Sequence, residues 1–311
     1  MTETFPRIAV LLPCYNEAAA IAQTVTDFRT ALPDAIIYVY DNNSSDATCE
    51  IATAAGAIVR VERMQGKGNV VRRMFADVEA DIYVMADGDA TYEAAAAPAL
   101  VKQLVDENLD MVVGARKSEI DAAYRRGHRF GNAMLTGMLA WIFGRSFTDI
   151  LSGYRIFSRR FVKSFPVLSS GFEIETEISV HALELRMPVA EQVTAYAARP
   201  EGSELKLNTW RDGFRILNTI LTLFRYERPM QFFGSIAAAF ALTAIILSIP
   251  LLITFMNTGL VPRFPTAILA TGLMILSALN GMCGLILDTV VRGRLEVRRL
   301  AYLAYPAPRG S

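Results

Sequence analysis

Short apolar runs alternate with amphipathic stretches from Arg7 to Gly114. Arg7–Leu12, Ile36–Tyr40, Ala57–Val61, Ile82–Met85 and Met111–Gly114 are short, apolar and of strand length. Between them, Ala18–Ala31, Asp46–Ala55, Gly68–Glu79 and Ala94–Glu107 have helical composition. Apolar strands alternating with helices predict an α/β fold, a mostly parallel sheet with helices on both faces. In such sheets, ligands bind beyond the carboxyl ends of the strands. Three polar clusters fall there: Pro13–Glu17, Asp41–Ser45 and Asp87–Asp89.

The pattern then changes. Met134, Leu135, Met138, Leu139, Ile142 and Phe143 recur at helical spacing after the basic run Arg125-Arg126-Gly127-His128-Arg129. Trp210, Phe214, Leu217, Leu221 and Phe224 share one face of a second stretch, with Arg211, Arg215 and Arg225 elsewhere on its circumference. Either would suit an ordinary core-facing helix. Their aromatic and arginine content favours interfacial helices on a bilayer, over residues 127–143 and 208–229.

Phe232–Phe255 and Thr266–Leu287 contain no charged residue. Each is long enough to cross a hydrocarbon core of about 30 Å. They predict a C-terminal two-helix transmembrane hairpin within 230–291. Pro250 is placed to kink the first span, and Asn280 to face the partner helix. The loop between them carries only Arg263, whereas the outer flanks carry Arg225 and Arg228, and Arg292, Arg294, Arg298 and Arg299. The positive-inside rule puts both flanks in the cytoplasm. Residues 1–207 then form a cytosolic domain, and 292–311 a basic tail.

Composition narrows the classes further. Lysine plus arginine and aspartate plus glutamate each number 31, so the net charge is zero. That argues against a nucleic-acid binder that relies on a basic field. Cys14, Cys49 and Cys283 show no metal-ligand spacing and predict no disulfide framework, which fits a reducing compartment. The acidic start and the short run broken by Pro13 lack a signal-peptide pattern.

The candidate chemistry centres on Asp87-Gly88-Asp89. The tripeptide is also a good turn sequence. Its place after a buried strand favours a site, since Mg²⁺ or Mn²⁺ is commonly held by one or two carboxylates plus substrate phosphates. Pro13-Cys14-Tyr15-Asn16-Glu17 and Asp41-Asn42-Asn43-Ser44-Ser45-Asp46 can start and cap helices, or bind a base and ribose. Gly66-Lys67-Gly68 can bring a cation and exposed backbone to phosphate. Neither Walker A spacing nor Gly-x-Gly-x-x-Gly is present, which weakens NTPase and dinucleotide readings.

These motifs resemble those of inverting glycosyltransferases of the GT-A fold. Ser152-Gly153-Tyr154-Arg155, Gly171-Phe172-Glu173-Ile174-Glu175 and Arg199-Pro200-Glu201-Gly202-Ser203 are similar to the dolichyl-phosphate mannose synthase branch, which includes bacterial polyprenyl-phosphate glycosyltransferases. The resemblance covers about residues 5–230. It implies that Pro13, Tyr15, Glu17, Asp41, Asn43, Lys67 and Asp87 line the nucleotide-sugar pocket. Asp87 and Asp89 serve ribose and metal, Asp89 being the better direct ligand. Arg116, Arg126, Arg129, Arg199 and Lys206 serve the acceptor phosphate. Thr91 stands where family members often place Gln, so water or its hydroxyl completes the metal shell. Leu205 replaces a Ser that often precedes Lys206.

A lipid-phosphate acceptor also explains why no strong base is needed. Its second pKa is about 6, so it is largely ionised at neutral pH. It requires neutralisation and aim, which arginine forks supply. Arg125 and Arg129 suit anionic lipid headgroups equally well. Asp149, Ser152 and Glu175 are candidate sugar or acceptor contacts, and Glu173 a further carboxylate. His128 and His181 read as a surface and a helix residue. The reading is an integral protein of the bacterial inner membrane whose partners are a nucleotide-sugar, probed first as uridine-linked, polyprenyl phosphate and the bilayer. A homo-oligomer is compatible with it. A lipid-hydroxyl or glycan acceptor with Asp149 or Glu175 as base, a catalytically silent scaffold, and a sugar nucleotidyltransferase are the alternatives.

Overall fold

In a computed structural model, the described residues are 6–117, 137, 147–171, 173–197, 221–222 and 224–308. Arg125, Arg126, His128, Arg129, Arg199 and Lys206, and most of both expected interfacial helices, lie outside them. The chain divides into two compact units, Met1–Gly213 with Val297–Ser311, and Phe214–Glu296.

In the first unit the strands are β1 (Ile8–Cys14), β2 (Ile36–Asp41), β3 (Ile58–Val61), β4 (Ile82–Met85), β5 (Met111–Lys117), β6 (Arg155–Ser158) and β7 (Val189–Ala195). The helices are α1 (Ile21–Ala31), α2 (Thr48–Ala54), α3 (Lys67–Asp77), α4 (Ala97–Asp106), α5 (Arg159–Ser164) and α6 (Ile174–Glu184). One seven-stranded sheet has the order β3-β2-β1-β4-β6-β5-β7. The strands pair in parallel except where β6 runs antiparallel to β4 and β5. This is the mixed sheet of the GT-A fold.

All five predicted strands and four predicted helices of the first third form, with ends moved by a few residues. The α1 register follows from Ile21, Val25 and Phe28, which recur on one face and are buried. On α4, Ala97, Leu100, Val101 and Leu104 do the same. β1 and β4 are buried on both faces, as continuous apolar runs require. Full burial of each large side chain contributes about 1.5–3 kcal/mol. The reversed strand β6 decides the site's shape. Its Arg155 lies opposite Met85, so the residues just before it sit beside the carboxyl end of β4.

At the opposite edge, Asp110 is completely buried just before β5. It accepts hydrogen bonds from Ser158 (2.7 Å) and Tyr302 (2.8 Å), and pairs with Arg160. The Arg160 guanidinium stacks over the Tyr302 ring at 4.8 Å, and Arg298 pairs with Glu184. The expected basic tail is helical through Leu303, and Arg298 and Tyr302, which belong to the first unit, make these contacts within it.

His181 on α6 is enclosed by Phe161 and Phe165 and lies 3.2 Å from the Ser164 hydroxyl. Burial, and secondly Arg298, lower its pKa to about 3. Because the folded value lies below the unfolded one, stability is full above about pH 6.5 and falls as the pH drops toward 3. Between pH 6.5 and 5 the wild-type melting temperature is expected to drop more than that of His181→Gln, in matched thermal melts. Parallel curves for the two proteins would refute that assignment.

The second unit contains α7 (Pro229–Thr258) and most of α8 (Phe264–Leu303). Both are long and apolar enough to cross a membrane. α7 runs unbroken through Pro250. Asn280 bonds within its own helix, its amide donating to Leu276 O at 2.8 Å. The polar link between the helices is Ser277 Oγ to Ala237 O at 2.7 Å. Gly284 allows close approach: a Cβ there would lie 3.3 Å from Phe233 Cβ.

Candidate active site

The loops after β1 and β2 are joined by side chain–backbone hydrogen bonds. Asn16 N donates to Ser44 Oγ at 2.8 Å, and Ser45 N to Asn16 Oδ1 at 2.8 Å. Glu17 N donates to Thr48 Oγ1 at 2.9 Å. Asn16 and Asn43 adopt positive φ, which asparagine tolerates better than most residues. The amides expected to read a base are committed elsewhere. Asn42 Nδ2 donates to Glu62 O and Met64 O, and Asn43 Nδ2 to Arg63 O. They hold the Glu62–Gly66 segment instead.

Asp41 closes β2. Its Oδ2 accepts from Ser44 N at 3.0 Å, while buried Oδ1 has no hydrogen-bond partner by ordinary geometry. The nearby Cys49 thiol, a weak donor, is raised in pKa by burial and then by the Asp41 charge. A buried carboxylate oxygen in this state favours a ligand N–H. Tyr15 is exposed at the same end of β1.

Asp87-Gly88-Asp89 follows β4 after the single residue Ala86. A Cβ at Gly88 would lie 2.3 Å from Cys14 Sγ, so a larger residue there would force the Cys14 side chain to move. Burial, followed by the charges of Glu17, Asp41, Asp87 and Asp89, raises the Cys14 thiol well above its usual range. It therefore remains protonated. Asp89 is buried, and its Oδ1 accepts from Thr91 Oγ1 at 2.6 Å and Thr91 N at 3.3 Å. Ala90 sits between them at φ 55°, a strained conformation for a residue with a Cβ. Thr91 thus acts on Asp89 itself, orienting the carboxylate.

Asp87 is held from two sides. Gly153 approaches so closely that a Cβ there would lie 2.8 Å from Asp87 Oδ2. Lys67 Nζ lies 2.5 Å from Asp87 Oδ1 and 2.6 Å from Glu175 Oε1. Burial would lower the Lys67 pKa, but the two carboxylates outweigh it and raise the value above the usual lysine range. The flanking glycines seat this lysine rather than exposing backbone. Gly66 N donates to Asn42 Oδ1 at 2.7 Å, and Gly68 N to Ser170 O at 3.1 Å.

Arg116, on β5, forms a two-pronged pair with Asp149: Nε to Oδ2 is 2.7 Å and Nη2 to Oδ1 is 2.8 Å. Its guanidinium lies 5.5 Å from the Tyr196 ring centre. Glu191 supports the arrangement by accepting from Thr148 N and Asp149 N. Ser152 is buried, donates to Gly114 O at 2.6 Å and accepts from Tyr154 N at 3.2 Å. Arg155 is buried too, its guanidinium bonded to Ser152 O, Ile150 O and Ser179 Oγ. That motif shapes the loop beside Asp87.

The donor set fits a hard divalent cation: carboxylates one residue apart at a strand end, Asp89 buried and oriented. Among the described residues, no group of three or more His, Cys, Asp or Glu is positioned as a metal cluster. Donor phosphates and water would supply the remaining ligands.

Residues 9–165 match the family model described as glycosyl transferase family 2. The chain belongs to that family. Glycosyltransferase AglJ of Haloferax volcanii is 37% identical over 250 residues, spanning 80% of this chain and 81% of that protein. A dolichyl-phosphate hexose transferase of the same organism is 26% identical over 229 residues, covering 73% and 99%. Glucosyl-3-phosphoglycerate synthase of Mycobacterium tuberculosis, solved with Mn²⁺, UDP-glucose and phosphoglyceric acid, superposes with TM-score 0.56. It is 24% identical and covers 70% of this chain and 79% of that one. This likeness shows the shared GT-A fold. The family 2 assignment makes this protein a glycosyltransferase.

Proposed function

We propose that this family 2 enzyme transfers a sugar from a uridine-diphosphate donor to polyprenyl phosphate at the cytoplasmic leaflet of a bacterial inner membrane. The observation that carries the reading is the buried, oriented Asp89 beside Asp87 at the end of β4, in a chain with two membrane-length apolar helices. The dolichyl-phosphate hexose transferase relative supports the lipid-phosphate acceptor. Asp41 Oδ1, which has only the weak Cys49 thiol donor nearby, supports uridine, whose imide N–H is a stronger donor.

A phosphate oxygen of the acceptor attacks the anomeric carbon and forms the new C–O bond. The bond from that carbon to the donor's diphosphate breaks, UDP leaves, and the configuration inverts. Asp89 and Asp87 would hold Mg²⁺ or Mn²⁺, which supplies neutralisation of the leaving diphosphate. Arg116 presents its charge to the acceptor phosphate from the fork made by Asp149. Arg126, Arg129, Arg199 and Lys206 complete that shell by family resemblance. Pro13, Tyr15, Glu17 and Asp41 line the uridine side.

The hydroxyl-acceptor alternative needs a free base. Both Asp149 oxygens face Arg116, and Glu175 Oε1 faces Lys67, so neither is arranged as one. A donor panel with labelled UDP- and GDP-sugars, offered with polyprenyl phosphate or polyprenol, tests the reading. Label is expected in the lipid only with a UDP-sugar and the phosphorylated acceptor. Equal transfer to polyprenol would overturn it.

A further inference from the structure

Three chain segments meet at Lys67. It is the first residue of α3, Asp87 follows β4, and Glu175 lies in the first turn of α6. The ammonium is within 2.6 Å of both carboxylates, and the Glu175 side chain is only 6% exposed. Asp87 and Glu175 carry one more negative charge than Lys67 neutralises. Asp89, which follows in the same turn, makes the local surplus two. A divalent cation cancels that surplus, but one of its two carboxylates is already held by an ammonium.

We propose that Lys67 is a resident competing cation that weakens divalent-metal binding at Asp87 until the donor is present, with Glu175 the positioning residue that shares its charge. This rests on the metal-and-donor reading above. The reason is electrostatic: a second cation a few ångströms from a metal opposes it strongly in a buried site. The donor diphosphate supplies the negative charge that offsets both cations. Metal and donor are then taken up together, which limits idle occupation of the site by metal alone. Glu175 moderates the competition, because a lysine shared between two carboxylates binds either one less tightly.

The variants separate this from a merely structural role. In Lys67→Met, Asp87 and Glu175 face each other without the cation, so Mn²⁺ affinity without nucleotide is expected to rise about tenfold or more. In Glu175→Gln, the whole lysine charge falls on Asp87, and nucleotide-free Mn²⁺ affinity is expected to fall severalfold. Lys67→Arg keeps the cation and is expected to stay near wild type. A structural lysine would give weaker binding in every variant.

The measurement is Mn²⁺ titration of the detergent-purified full chain by electron paramagnetic resonance, with and without UDP, on variants of matched circular dichroism. Wild type is expected to bind Mn²⁺ weakly alone and much more tightly with UDP. If wild type does so but Lys67→Met binds nucleotide-free Mn²⁺ no better, the competition idea is wrong and the metal reading stands. If Lys67→Met does not fold, an unchanged or higher affinity in Glu175→Gln overturns the idea by itself. If wild type binds no Mn²⁺ even with UDP, the metal reading falls and takes this inference with it.

Discussion

Asp89→Asn is expected to lower sugar transfer by about a thousandfold while leaving the fold intact. Asparagine keeps the shape of the side chain, and its Oδ1 still accepts from the Thr91 hydroxyl. What it removes is the buried charge that would face the metal and diphosphate. Neutralisation of a leaving diphosphate by a metal accounts for several kcal/mol of transition-state stabilisation, and about 4 kcal/mol corresponds to a thousandfold. Initial rates at saturating donor, beside matched thermal melts, check this. A variant that retains more than a tenth of wild-type activity would remove Asp89 from the centre of the chemistry. Thr91→Val is the milder companion. It loses the 2.6 Å bond that orients Asp89 but keeps the charge, so a drop of about tenfold is expected.

Gly68→Ala is expected to act on structure where Asp89→Asn acts on chemistry. A Cβ at Gly68 would lie 2.1 Å from Ser169 O and 2.7 Å from Ser169 C. Both are backbone atoms, so no rotamer change relieves the clash. The opposing segment is pinned as well, because Leu168 N and Ser169 N each donate to Glu177 at 2.8 Å. Either that segment or the start of α3 must shift, and the start of α3 is Lys67. Overpacking of this kind costs about 1–3 kcal/mol, a melting decrease of several degrees. The lysine would also be displaced from Asp87, so activity should fall further than stability alone explains. Gly272→Ala, with nothing within 4 Å of the added carbon, is the neutral control. Equal melting temperatures for the two alanine variants would contradict the packing described for Gly68.

The parts of this fold that were legible in the sequence are those with local causes. β1 and β4 announce themselves as continuous apolar runs because both faces of their sheet are covered, and α1 and α4 by buried residues at helical spacing. The polar clusters at strand ends follow from the same pattern, since a parallel sheet sends all its carboxyl ends one way. β6 was not legible: four residues, Arg155–Ser158, are defined by long-range antiparallel pairing with β4 and β5. Its reversal brings Gly153 against Asp87, a contact that no spacing encodes.

The site shows the same division. Asp41, Asp87 and Asp89 stand out because charged residues rarely end buried strands without a reason. The partnership of Lys67 with Glu175 was hidden, because it joins helices far apart in the chain. Asn42 and Asn43 look like base readers by residue type, yet their amides tie down the Glu62–Gly66 segment. A carboxamide serves backbone and base equally well, so only the fold distinguishes the two uses. Asn280 is similar: its own helix offers the Leu276 carbonyl, and the shorter Ser277 makes the link to α7.

The central claim is that a lipid phosphate displaces the nucleotide diphosphate at the sugar's anomeric carbon. The most direct test follows both products of one reaction, with purified full-length protein, a UDP-sugar labelled in the sugar, polyprenyl phosphate and Mn²⁺. The expected result is UDP released in equal amount to a labelled lipid that loses its sugar in mild acid, as a glycosyl phosphodiester does. Release of UMP instead of UDP, or a labelled lipid that survives mild acid, would contradict it.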